Sequence, residues 1–258
     1  MTLQRSGGAA ALSATAEDYA RTMAPALRPV AVAVVEAAGL RAGERVLDVG
    51  TGTGTAAGLA RGDGRSVSAV DAAAGMLAIA RREVPGVEFV EADFSSLPFA
   101  DDAFDVVLAA HGLLFADDRV AALAEWRRVS AAGGRLSVSV PGPFDRVAMA
   151  LFAPIYERHG LRWGDDYPDA AQLAAWAAAA GWTDVTTRAD PSVSIPLDDD
   201  DAFRAWLRVG ARGRATQDWT DAQRDRLARE LMAATPRDES GGYRLPFGAL
   251  FLVAINPG

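Results

Sequence analysis

Val46-Leu47-Asp48-Val49-Gly50-Thr51-Gly52-Thr53-Gly54 begins as an apolar, β-branched run and ends on three glycines at alternate positions. Residues 45–49 read as a strand and 55–61 as the helix after it. Alternate glycines let the backbone turn tightly and let a ligand come close to it. The helix that follows points its free N–H groups into the same space. In an open α/β sheet this is the crevice, outside the carboxyl ends of the strands, where ligands bind. A glycine-rich turn on its own also serves as a plain packing turn, so its surroundings decide the reading.

Outward from this turn, short apolar runs alternate with helical patterns. Strands are expected over 66–70, 87–91, 104–109 and 135–140, and helices over 73–82 and 119–129. Gly133-Gly134 reads as a helix end and turn before the fifth strand. Further on, helices are expected over 147–159, 170–180 and 200–210, with strands over 185–189 and 249–255. Thr220-Asp221-Ala222-Gln223 is a capping box that opens another helix. The alternation predicts an α/β fold: a Rossmann-like, doubly wound, mostly parallel seven-stranded sheet with helical lid insertions. Runs such as Val106-Val107-Leu108-Ala109 suit strands buried on both faces.

Two spacings narrow the ligand. The glycines fall at 50, 52 and 54, with Thr at 55, where a dinucleotide fingerprint wants glycine or alanine one place later. A phosphate-binding lysine is impossible, because all 26 basic residues are arginine. Asp71 ends the second strand, where a carboxylate can accept both ribose hydroxyl hydrogens. Together these favour a nucleoside ligand without a pyrophosphate.

Composition bounds the rest. The 258 residues are 50% hydrophobic and 23% charged, which suits a globular chain. The absence of cysteine excludes disulfides and a thiolate nucleophile, and two histidines make a His-rich metal site unpromising. No metal site is expected. A net charge of −8 lacks the footprint of a nucleic-acid binder. No apolar run nears the roughly 20 residues that span a bilayer, and no signal segment is visible. These features lead to the expectation of a cytoplasmic protein without membrane or nucleic-acid partners. A disordered start over 1–15 is expected, then a single domain over 16–258 with lid segments near 144–169 and 196–247.

The chain resembles the class I S-adenosylmethionine-dependent methyltransferases, in the small-molecule branch that includes the ubiquinone/menaquinone-biosynthesis C-methyltransferases. The resemblance is strongest over 45–141. It is carried by Val46–Gly54, by Asp71, by Glu91-Ala92-Asp93-Phe94, by Phe104-Asp105-Val106-Val107-Leu108, and by Glu125–Val129 through Gly133–Leu136. Thr51 stands where the family often has cysteine. The resemblance implies S-adenosylmethionine as cofactor, held at Asp48, Gly50, Thr51, Gly52 and Gly54. It implies Asp71 on the ribose, Ala72 and Met76 beside the adenine, and Asp93 with the Phe94 N–H on the adenine edge. Ala110 and His111 would pass the methionine portion, and Tyr19, on an N-terminal helix, would close the site.

Each candidate has a plainer alternative. Asp48 suits capping of the glycine turn, Asp93 suits capping near Ser95, and Met76 suits the core. His111, at the carboxyl end of the fourth strand, is a candidate catalytic base or acceptor-positioning group, or else lines the cofactor. His159 suits a solvated helix end. The expected acceptor is a small, partly apolar or aromatic molecule, methylated on O, C or N by in-line displacement. Tyr156, Trp163 and Tyr167 are its candidate contacts. Two other readings stand beside this one: a nicotinamide-dependent oxidoreductase, and a protein of the same fold acting as a non-methylating cyclase or binding module. The oligomeric state is not legible.

Overall fold

A computed structural model describes residues 2–3, 8–142, 146–163 and 167–258. The first part contains β1 (Thr2–Leu3), α1 (Ala9–Ala14), α2 (Ala16–Ala37), β2 (Arg45–Val49), α3 (Thr55–Ala60), β3 (Ser66–Asp71) and α4 (Ala74–Glu83). Then come β4 (Glu88–Glu91), β5 (Phe104–Ala110), α5 (Arg119–Val129), β6 (Ser130–Pro141), α6 (Arg146–Arg158) and β7 (Arg162–Trp163). The last part holds α7 (Ala170–Ala179), β8 (Thr183–Asp190), β9 (Ser194–Leu197), α8 (Asp200–Arg208), α9 (Gly210–Ala215), α10 (Asp221–Ala234), β10 (Tyr243–Pro246) and β11 (Ala249–Ile255).

The main sheet has seven strands in the order β4-β3-β2-β5-β6-β11-β8. β4, β3, β2, β5 and β6 pair in parallel, while β11 runs antiparallel between β6 and β8. The order reverses at β2 and β5, which puts the glycine turn after β2 at the switch point of the sheet.

Neighbouring residues on a strand serve opposite faces. Val46, Val106 and Leu108 pack with Val30 and Val34 of α2 and Ala57 of α3. Leu47 and Val107 pack with Leu123 and Trp126 of α5 and Leu173 of α7. This two-sided burial explains the unbroken apolar runs. A separate core unites the later elements: Phe203 and Trp206 of α8, Leu227 and Leu231 of α10, Phe152 and Tyr156 of α6, and Ile195 and Tyr243 of β9 and β10. Met23 and Ala26 of α2 join this lid core, one or two turns before Val30 and Val34 join the sheet. One helix therefore ties the two regions together.

Two expectations need revision. Of the start expected to be disordered, residues 9–14 form α1, because Ala9 and Leu12 find apolar partners on Ala73, Met76 and Ile79. Gly133-Gly134 does not end a helix: α5 stops at Val129, and the pair lies within β6 at a register irregularity against β5. The ladder between β9 and β10 was not foreseen. The capping box at Thr220 and Gln223 is present as read. Part of the expected lid segment 144–169, namely residues 144–145 and 164–166, lies outside the described residues.

Candidate functional site

The turn after β2 is built from three glycines in the left-handed region, Gly50, Gly52 and Gly54. Gly50 leaves no room for a side chain, since a Cβ there would sit 3.1 Å from the Gly112 Cα. The Gly50 and Thr51 N–H groups both donate to the Val70 carbonyl at 2.9 Å, which ties the turn to β3. Asp71, at the end of β3, accepts the Gly52 N–H at 2.8 Å on one carboxylate oxygen and the Ala73 N–H at 2.8 Å on the other. Burial raises its pKa, while the N–H groups of Ala73, Gly52 and Ala72 pull it back.

Asp48 is buried beneath the turn. One of its oxygens accepts from Thr51 Oγ1 at 2.6 Å and from the Ala57 N–H at 2.9 Å, so the loop-capping alternative is realised. The other oxygen, Oδ1, has no partner among the described residues. Burial pushes the Asp48 pKa up to about 6 against these two hydrogen bonds.

His111 follows β5 with a left-handed backbone, φ 65°. Its N–H donates to the Ser139 carbonyl at 3.0 Å, and its Nδ1 lies 3.0 Å from Ser139 Oγ. Nε2 is buried without a partner among the described residues. The ring tilts against Phe247, with centroids 5.4 Å apart. Burial lowers its pKa to about 4, opposed only in part by the Ser139 main chain.

Tyr19 of α2 covers this crevice. A Cβ on Gly52 would fall 4.0 Å from its hydroxyl. Burial, then the nearby Asp71 and Asp48 carboxylates, raise the phenol pKa to about 12. The crevice is lined by Tyr19, Asp48, Gly50, Thr51, Ala110 and His111, with Leu27 and Val30 of α2, and its volume is about 30 Å³. A larger cavity of about 640 Å³ lies elsewhere, between α1, α8, α9 and α10, and it is lined in part by Tyr156. The two linings share no residue.

The other sequence candidates scatter. Met76 is buried with Ala9, Leu12, Ala16 and Tyr19 packed around it, and Ala72 is partly exposed. Asp93 is exposed and closes a turn on Ser95. The Phe94 carbonyl accepts from Trp126 Nε1 at 2.8 Å, and its ring leans on the sheet core. Tyr156 belongs to the lid core and Tyr167 packs against the sheet core, so the structure does not bring those two together. The Trp163 side chain lies outside the described residues. His159 faces Glu230 at 3.2 Å and stacks on Trp219, away from the crevice.

Sequence reading missed Ser139, although a serine inside an apolar parallel strand must find a polar partner. It also missed Ser13, whose Oγ accepts the Gly75 N–H at 3.1 Å and so caps α4 from another helix. Among the described residues no cluster of three or more metal-ligating side chains occurs, and no helix is long and apolar enough to cross a membrane.

Residues 47–138 match the family described as a methyltransferase domain. The demethylmenaquinone methyltransferase of Renibacterium salmoninarum is 37% identical over 176 residues, covering 60% of this chain and 73% of the relative. The methyltransferase GfsG of Streptomyces halstedii is 32% identical over 193 residues, covering 70% of this chain and 69% of its own. The crystal structure of the YcgJ protein of Bacillus subtilis superposes with a TM-score of 0.60 at 20% identity, over 89% of this chain and 98% of that one. The chain belongs to the class I S-adenosylmethionine-dependent methyltransferases. Its cofactor is S-adenosylmethionine and its substrate a small molecule.

Proposed function

We propose that the crevice under Tyr19 takes the cofactor's methionine and ribose, and that a partly apolar or aromatic acceptor meets the methyl beside His111. One observation carries this reading. Asp48 Oδ1 and His111 Nε2 are both buried, both unpartnered among the described residues, and both belong to residues lining the same crevice at the switch point of the sheet. Leaving buried polar atoms unpaired costs about 1–3 kcal/mol each. A ligand that supplies their partners removes that cost.

The donor set suits the cofactor. Asp48 offers a carboxylate oxygen to a positive centre. Asp71 has both oxygens already oriented by backbone N–H groups, with a second lone pair on each for ribose hydroxyls. Ala72 and Met76 stand for one adenine face, and Asp93 with Phe94 for its edge. A crevice of about 30 Å³ is far below the roughly 300–1,000 Å³ of small-molecule sites. Entry therefore requires the turn of α2 that bears Tyr19 to lift, together with α1, which covers Met76.

When bound, the cofactor supplies a methyl group already activated by a sulfonium. The chain's own part is to hold the acceptor in line at about 3–3.5 Å and to exclude water. Tyr19, Leu27 and Phe247 do the latter. The methylated atom, O, C or N, depends on the acceptor. Tyr156 lines the separate lid cavity, whose wall also carries Arg204, Arg208 and Arg224; Tyr156, Trp163 and Tyr167 remain proposed contacts of the acceptor.

The test is a calorimetric titration with S-adenosylmethionine followed by mass spectrometry of candidate acceptors. Saturable binding and a gain of one CH₂ unit per turnover are expected. Absence of binding overturns the crevice assignment, and an acceptor rearranged at constant mass overturns the transfer.

A further inference from the structure

The direction of one buried hydrogen bond decides what His111 offers the crevice. Ser139 is fully buried in β6, opposite Ala110 in the ladder. The His111 main-chain N–H is shared between the Ser139 carbonyl oxygen at 3.0 Å and Ser139 Oγ at 3.2 Å. An N–H can only donate, so Oγ accepts there. The second contact of Oγ is His111 Nδ1 at 3.0 Å, and no third contact occurs among the described residues. A proton on Nδ1 would leave the serine hydroxyl hydrogen buried with no acceptor. A hydroxyl that donates to Nδ1 satisfies both Ser139 Oγ and His111 Nδ1, and the ring's single proton then sits on Nε2, the ring atom that has no partner among the described residues.

We propose that His111 presents a neutral Nε2–H to the crevice and acts as a hydrogen-bond donor rather than a base, with Ser139 as the positioning residue that fixes this tautomer. The proposal rests on the reading that the crevice faces the acceptor. It names the acceptor's chemistry: an oxygen carrying a free lone pair, as in a carbonyl, enolate or phenolate, at or next to the methylated atom. An acceptor that must surrender a proton finds no taker at this nitrogen. The depressed basicity of the ring agrees, since a weakly basic imidazole is a poor match for removing a phenol or alcohol proton.

The experiment is nitrogen NMR on the full-length protein labelled with ¹⁵N-histidine. The chain has two histidines, and the variant His159→Gln assigns the signals. At pH 7, His111 is expected to show a protonated Nε2 and an unprotonated Nδ1. A proton on Nδ1 overturns the proposal, and so does a ring that titrates at the ordinary histidine pKa of about 6.5. Ser139→Ala should yield a mixture of tautomers and Ser139→Thr should restore the single one. A serine with only a packing role would change the melting temperature and leave the tautomer untouched.

Added 4-nitrophenolate, an oxygen anion, is expected to shift the Nε2 signal, whereas aniline is not; no response to the phenolate overturns the oxygen preference. In turnover, His111→Leu should lower kcat by about 100-fold, as removal of one aimed donor does, and His111→Gln, which keeps an N–H, should lose less. The tautomer is read without cofactor, so a failed cofactor titration would sink the crevice assignment and leave this measurement standing.

Discussion

The crevice and the lid core place their side chains by different means. At the crevice hydrogen bonds do the placing, from main-chain N–H groups and from the hydroxyls of Thr51 and Ser139. Asp71 is held by two backbone N–H groups, Asp48 by Ala57 N–H and Thr51, and His111 by Ser139 across the ladder. In the lid core, rings place one another. Phe203 meets Trp206 edge-on with centroids 5.3 Å apart and Tyr243 with centroids 4.9 Å apart. A site fixed by backbone geometry depends on glycines and short acids at single positions. A core fixed by ring packing depends on volume, and other rings can share the task. The first arrangement suits a cofactor of constant shape, and the second suits a pocket wall adapted to its acceptor.

If the two regions are separable, Phe203→Ala gives the largest change of all in stability and none at the crevice. Truncating this fully buried ring should cost about 3–5 kcal/mol in denaturant unfolding, while cofactor affinity of the folded protein stays unchanged. A parallel loss of affinity would show that lid and crevice form one unit through α2. Gly50→Ala is the reverse case. A left-handed φ and a 3.1 Å approach to Gly112 should cost about 1–3 kcal/mol of strain and abolish tight cofactor binding, as calorimetry would show. Asp71→Ala should weaken cofactor binding by about 1–3 kcal/mol, the worth of charged hydrogen bonds. Unchanged affinity would remove Asp71 from the ribose.

The smallest effect is set by pH. The folded pKa of Asp48 is raised to about 6, so its carboxylate is protonated below that value. A cationic ligand favours the ionised form, so affinity should fall as pH drops through 6, by at most about tenfold per unit for one proton. Asp48→Asn should flatten that slope. For folding alone the sign is opposite: an acid raised above its unfolded pKa loses stability as pH rises from the unfolded value to the folded one.

Much of the sheet was legible because burial on both faces writes itself as runs of Val, Leu and Ala. The spans of β2, α5 and β11 agree with the reading residue for residue. The glycine turn and Asp71 were legible because a left-handed backbone and a strand-end acid are local signals. The lid hairpin was not, since Ser194–Leu197 pairs with a strand that follows three intervening helices. The state of His111 was not legible either. Its backbone twist and its ring partner come from Ser139 on the neighbouring strand, a contact that periodicity cannot report. Tyr156 and Tyr167 looked like one aromatic set in sequence, and the fold sends them to different cores.

The seat of α1 on α4 carries an evolutionary consequence. A side chain at position 75 would put its first carbon 2.5 Å from the Ser13 carbonyl oxygen, so even alanine there would pry the leading helix off its berth. The obstacle is the main chain of residue 13 and not its side chain, so no exchange at 13 makes room, and position 75 must stay glycine for as long as α1 lies on α4.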